Sequence, residues 1–178
     1  MVAITNILLL AATVATASVL RRDATPLVNV ISNQLSPQIT TLQNEINGFP
    51  ASGMKGAIRL ESGDDNLMSI LDTAAAVTQT AGTFSLLDTL EIITAMSPVT
   101  TQITDYNHAL DTKKADFQKI GRATFVLADL EILNIKWTNF LSEMVAQAPI
   151  GEAAALQTIQ NTITASYDHA IKVYSDAA

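Results

Sequence analysis

Two histidines among scattered carboxylates are the only side chains here whose spacing offers catalytic chemistry. Asp105, His108 and Asp111 stand one helical turn apart, which would set carboxylate, imidazole and carboxylate along one helix face for proton transfer or metal binding. A solvated polar face has the same spacing, and is the commoner meaning of such a trio. Asp168 beside His169 is read in the same way. Catalysis by a thiol is excluded, because the chain has no cysteine. No Gly-x-Ser-x-Gly elbow is present, the paired Glu-x-x-His of a di-iron bundle does not occur, and no glycine-rich phosphate loop sits between a strand and a helix. A Ser/His/Asp set is not excluded by spacing alone. The expectation is of no enzyme, no metal and no cofactor.

The informative residues are the apolar ones. From Thr25 onward they recur at three and four, the helical period, so an all-α domain is expected. Thr25-Pro26 reads as a cap followed by proline at the first helical position. A stripe of Val28, Ile31, Leu35, Ile39, Leu42, Ile46 and Phe49 continues straight through Ser36-Pro37, which predicts one helix kinked near Pro37. The segment from Gly48 to Gly56 is the strongest breaker cluster. A second stripe, Leu67, Ile70, Leu71, Ala74, Val77 and Ala81, has an ambiguous start because Gly63 interrupts the apolar residues before it. Ser85 and Asp88 have capping-box spacing, and the helix they open runs through Leu86, Leu90, Ile93 and Met96 to a break at Pro98 inside one long rod, continuing with Val99, Ile103, Tyr106, Leu110 and Phe117. After Gly121 comes the most apolar helix, roughly 123–148, with Val126, Leu130, Leu133, Trp137, Phe140, Leu141 and Met144 on one stripe and Phe125, Ile132 and Ile135 on a neighbouring face. That arc is wider than one partner needs. Either this helix is central, or part of its surface meets something other than protein. Pro149 starts the last helix, with Leu156, Ile159, Ile163, Tyr167, Ala170, Ile171 and Tyr174 as its stripe. The result is an antiparallel bundle of about five helices.

The N-terminus has the character of a secretory leader. Ile7 to Ala17 is a short apolar run ending in the small-x-small pattern Ala15-Thr16-Ala17, so residues 1–17 are expected to be removed. The run is too short to span a bilayer. Residues 18–24 form a short segment in which Arg21-Arg22 is either a processing site or a charged spacer, and the domain proper is 25–178. An exported chain without cysteine must be held by apolar packing alone, for which about 155 residues suffice. Only 15% of residues are charged, and the net charge of −7 disfavours nucleic acid and anionic membrane surfaces as partners. No Asn-x-Ser/Thr sequon occurs, although Thr-rich faces offer room for O-linked sugar. The C-terminus lacks the hydrophobic tail of a lipid-anchor signal.

Most apolar stripes are core. The broad face of the Trp137 helix, which also carries Phe140, with Tyr106, Phe117 and Tyr167 on facing helices, suggests in addition an interior that opens into an elongated cleft. Four helical turns give roughly 20 Å, about the length of an extended acyl chain, and burying fifteen methylenes yields roughly 12 kcal/mol before association costs.

The segments Leu110-Asp-Thr-Lys-Lys-Ala-Asp-Phe117, Gly121, Val126-Leu-Ala-Asp-Leu130 with Leu133, Ala148-Pro149, and Ile163, Tyr167-Asp-His-Ala-Ile171 and Tyr174 together resemble the fungal hydrophobic surface-binding protein A family, which includes cell-wall galactomannoproteins. The first helix, closing in Phe49-Pro50, is similar too. Lys113, Lys114, Phe117 and Gly121 match position by position. The resemblance implies a secreted, non-enzymatic bundle that binds lipids or hydrophobic surfaces, often glycosylated and wall-associated. The missing Ser/Thr-rich stalk departs from the mannoprotein type. On this reading Leu71, Tyr106, Leu110, Leu130, Leu133, Trp137, Phe140, Ile163 and Tyr167 are the candidate ligand wall, with Arg59 or Lys113 near a fatty-acid carboxylate. The alternatives are an adaptor that recruits other secreted proteins to hydrophobic surfaces, and a structural wall protein without a ligand.

Overall fold

The computed structural model describes residues 23–176. The expected leader, its cleavage point and Arg21-Arg22 lie outside them. Helix α1 (Thr25–Val30), a π-helical turn (Ile31–Leu35) and α2 (Ser36–Gly48) follow one another as a single first rod. Four more rods complete the described residues: α3 (Gly53–Ala81), α4 (Leu86–Lys119), α5 (Ala123–Gln147) and α6 (Ile150–Ser175). None is long and apolar enough to cross a membrane.

Local chemistry accounts for most boundaries. The Asp23 carboxylate accepts from both the backbone N–H and the hydroxyl of Thr25, so the cap expected of Thr25 is supplied by Asp23, with Ala24 at the N-cap position. Just before Pro37 the rod takes its π-helical turn, where the Ser36 N–H reaches back to the Ile31 carbonyl. That wider turn gives the proline ring room. At Pro98, by contrast, α4 runs on as one rod with the proline inside it. The Ser85–Asp88 capping box forms as expected, with the Ser85 N–H donating to Asp88 Oδ2 at 2.9 Å and the Asp88 N–H to Ser85 Oγ at 3.2 Å. Gly121, at φ +68°, closes α4 in a left-handed turn. Its N–H meets the Gln118 carbonyl at 3.0 Å and that of Arg122 meets Phe117 at 2.9 Å, which satisfies carbonyls the helix end would leave open.

The rods close into a ring. The first rod packs against α3 and α4, α3 against α5, α5 against α6, and α6 against α4. Successive rods run antiparallel, but the ring also brings parallel rods side by side. Lys136–Asp72 and Gln79–Glu143 bonds fix the parallel register of α3 and α5. Asn107–Ser166 and the bond from Tyr174 to the Leu110 carbonyl do so for α4 and α6. Consequently α3 and α4, adjacent in the chain, face each other across the ring. The first rod approaches α3 closely at Gly63, where a Cβ would lie 2.6 Å from Leu42 Cδ2, and the Gly63 carbonyl accepts from Gln38 Nε2 at 2.8 Å. That is why a glycine sits inside α3, whose start is Gly53.

One apolar core fills the ring. At the end holding the α4–α5 turn, Phe49 stacks on Phe117 with centroids 4.2 Å apart and Phe117 tilts against Tyr174 at 6.5 Å. At the opposite end the stripe assigned to the start of α4 is out of phase. Leu86 and Leu90 are exposed together with Leu87, while Thr89, Ile92 and Met96 face inward, because Phe84, tied through its N–H to the Gln147 carbonyl at 2.8 Å, is the residue that anchors this corner. On α5 the second apolar face is solvent-facing: Phe125, Ile132 and Ile135 are exposed.

Candidate functional site

All nine candidate wall residues face inward: Leu71, Tyr106, Leu110, Leu130, Leu133, Trp137, Phe140, Ile163 and Tyr167 are at most 2% exposed. Each of their polar side-chain atoms has at least one hydrogen-bond partner. The Trp137 indole N–H donates to the Tyr167 hydroxyl at 3.0 Å, and Phe140 tilts against the indole at 6.1 Å. The Tyr106 hydroxyl meets Asp64 Oδ1 at 3.0 Å and Oδ2 at 3.2 Å. These four groups, drawn from α3, α4, α5 and α6, form a polar hub inside an apolar ring.

Asp64 decides the electrostatics of that hub. Burial pushes its carboxyl well above the usual carboxylate range, and the charges of Asp129, Asp65 and Glu61 push further, against the lowering effect of the Tyr106 bond. Its surroundings therefore favour the neutral, protonated carboxyl over the charged one. Tyr106 is raised first by burial and then by Asp64, and Tyr167 by the same two influences, with the Trp137 bond opposing. Asp129, half-buried on α5, is raised to about 6, by burial first and then by Glu61 and Asp65.

A narrow cleft of about 20 Å³ leads toward the hub between α3, α4 and α5, with Leu60, Glu61, Asp64, Phe117, Arg122 and Asp129 among its walls. The Gly121 turn sets Arg122 at its mouth. There the guanidinium lies 3.3 Å from Glu61 Oε2 and 4.7 Å from the centroid of the exposed Phe125 ring, bridging α3 and α5 across the opening.

The two candidate carboxylate contacts are elsewhere. Arg59 is exposed and bonded to Glu45 Oε2 at 2.7 Å, on the side where α3 meets α2. Lys113 is half-buried on α4, and its neighbour Lys114 donates to the Val173 carbonyl, tying α4 to α6. The trio of Asp105, His108 and Asp111 is not gathered either. Asp105 and His108 are exposed, whereas Asp111 pairs with His169 of α6 at 3.5 Å and its carboxyl is raised by burial. Asp168 instead accepts from Asn134 at 3.0 Å.

Sequence reasoning missed Asp64, Arg122 and Asp129. A signal existed for the first, since Asp64 completes the inward series Leu60, Leu67 and Leu71 at helical spacing, yet adjacent Asp65 makes the pair look like a solvated charge run. Arg122 and Asp129 acquire their position only when α5 docks alongside α3.

Comparison with known proteins places these features in context. A family model described as hydrophobic surface binding protein A matches residues 24–146. Among solved structures, AFMP4P in complex with palmitic acid is 22% identical, with a TM-score of 0.81 over 85% of this chain and 99% of that one. Ligand binding domain 1 of the Penicillium marneffei MP1 protein, complexed with arachidonic acids, is 14% identical, with a TM-score of 0.79 over 85% and 98%. Domain 2 of the same protein, complexed with multiple arachidonic acids, gives 13% and 0.78 over 85% and 96%. A search of curated protein sequences finds no match.

Proposed function

Because the chain belongs to the hydrophobic surface binding protein A family, we propose that it takes a single-chain lipid, such as a fatty acid, into the interior of its helix ring. The observation that carries this reading is the buried hub of Asp64, Tyr106, Trp137 and Tyr167 surrounded by the apolar wall. A purely structural core more readily uses apolar side chains at such positions, since each polar group must be desolvated and paired, whereas an amphiphile needs both parts. The fatty acids named with structures of the same fold support the ligand class. The acyl chain lies among the nine wall residues, and entry is through the Arg122 mouth between α3 and α5. No cross-link opposes the separation of those rods, for the chain has no cysteine. Arg122 lines this opening, whereas Arg59 and Lys113 lie elsewhere. Binding rather than catalysis is the activity, and the protein acts outside the cell after loss of its leader. Native mass spectrometry of delipidated protein with excess fatty acid tests this reading: bound-lipid mass is expected, and no gain at any pH from about 5 to 8 contradicts it.

A second reading, adsorption to hydrophobic surfaces, rests on the exposed Leu86, Leu87 and Leu90 at the start of α4. The last two line an outer groove of about 490 Å³ with Val28. Leu87→Ser with Leu90→Ser should then reduce retention on hydrophobic beads, and unchanged retention rejects this patch.

A further inference from the structure

The groups around the hub share one sign of charge, and this limits the head group they can receive. Facing Asp64 are Glu61 and Asp65 from its own helix, Tyr106 from α4, Asp129 from α5 and Tyr167 from α6. From the first rod comes neutral Gln38, bonded to the adjacent Gly63 carbonyl. None is a cation. Among the described residues, Arg122 is the one positive side chain lining the cleft, and Glu61 already engages it at 3.3 Å.

A carboxylate moving from the mouth to the hub therefore passes Glu61 and Asp129 and arrives beside Asp64 without an unspent counter-charge. Burying an unpaired anion in such a place is strongly unfavourable. An uncharged oxygen meets different conditions. The Tyr167 oxygen accepts from Trp137, but a phenol also donates, and among the described residues its hydrogen has no hydrogen-bond acceptor. A fully buried donor is thus left over at the centre of the ring.

We infer that the ring selects single-chain lipids with an uncharged head group, namely a fatty alcohol, a fatty ester or a protonated fatty acid. Tyr167 donates to the head-group oxygen, and with Arg122 held by Glu61 the charge of Asp129 turns carboxylates away. This rests on the interior-binding reading above and narrows it. Asp129, raised to about 6 by burial and then by Glu61 and Asp65, reinforces the selection: between pH 5 and pH 8 the mouth gains negative charge while a fatty acid loses its proton.

The experiment titrates delipidated full-length protein with dodecanol and with dodecanoic acid at several pH values from about 5 to 8. Native mass spectrometry counts bound lipid, and emission from Trp137, the sole tryptophan, reports arrival at the hub. Dodecanol affinity is expected to change little with pH, whereas apparent affinity for the acid falls by about tenfold per pH unit above the acid's own pKa. Exchanging Glu61→Gln with Asp129→Asn should narrow the gap between acid and alcohol at pH 8 several-fold. Dodecanoic acid bound at pH 8 as tightly as dodecanol overturns this inference while leaving interior lipid binding intact. Failure of both probes at every pH removes the interior-binding reading and the inference with it. The wild-type comparison decides the matter even if the double variant does not fold.

Discussion

Tyr106 of α4 holds the carboxyl of Asp64 of α3 at 3.0 and 3.2 Å, joining two rods that face each other across the ring. The bond lies inside the core, so its partners have no water to fall back on. Asp64→Ala should destabilise the bundle by about 1–3 kcal/mol, the cost of leaving a buried hydroxyl without its partner. Asp64→Asn, which retains an acceptor for Tyr106, should cost less. Urea unfolding of both variants measures the order, and an alanine variant as stable as the parent contradicts the assignment.

Stability should fall as pH rises. Asp64 and Asp129 both hold their protons more tightly in the folded ring than in the open chain. A raised carboxyl stabilises fully below its unfolded pKa of about 4, and that contribution is lost as pH climbs to the folded value. For Asp129 the loss runs up to about pH 6, and Asp64 contributes a loss of the same sign. Tm is therefore expected to decline between about pH 4 and pH 6, with Asp129→Asn flattening the decline. A profile that rises over this range has the wrong sign for the proposed hub.

Gly63 and Leu42 should be coupled. Alanine at position 63 gains about 1 kcal/mol of helix propensity but sets its methyl 2.6 Å from Cδ2 of the buried Leu42, where overpacking costs about 1–3 kcal/mol. Gly63→Ala alone should be neutral to destabilising. In a Leu42→Ala background the clash is gone, and the same change should stabilise. A double-mutant cycle by urea unfolding checks the change of sign, and additive effects mean that the two rods do not meet here as described.

The wall of the interior was legible in the sequence because burial leaves a periodic trace. Trp137, Phe140, Ile163 and Tyr167 recur at helical spacing, and their apolar character fixes which face turns inward. The fold class and the Ser85–Asp88 cap were readable for similar local reasons. The start of α4 was not, since Leu86 and Leu90 satisfy the period while Phe84, outside the helix, takes the buried place. The hub was only half legible. Its aromatic members stood out, but whether a carboxylate such as Asp64 faces water or a tyrosine depends on how the ring closes, and parallel packing of α3 against α5 joins residues some sixty positions apart, as at Glu61 and Arg122.

Tyr167 should matter to stability and to ligand alike. In Tyr167→Phe the ring remains, but the Trp137 N–H loses its acceptor, a cost of about 1–3 kcal/mol for a buried donor left alone. The same hydroxyl is the donor assigned to the lipid head group, so dodecanol affinity should drop by roughly fivefold, the equivalent of about one hydrogen bond. Dodecane, which has no head group, should lose nothing beyond what the change in stability explains. Parallel titrations of the two probes separate a head-group contact from general loosening, because loosening would weaken both alike.

Arg122 should govern exchange more than stability. Its ion pair with Glu61 is partly exposed, with 25% and 36% of the side chains accessible, and such pairs contribute about 0–1 kcal/mol. The guanidinium nevertheless spans the opening between α3 and α5 and lies over Phe125, so those rods cannot part at the mouth without releasing it. Arg122→Ala should leave Tm nearly unchanged while speeding lipid uptake and release in stopped-flow measurements of Trp137 emission. Faster exchange in both directions leaves the equilibrium affinity about where it was. A variant that exchanges lipid at the parent rate places the entrance elsewhere on the ring.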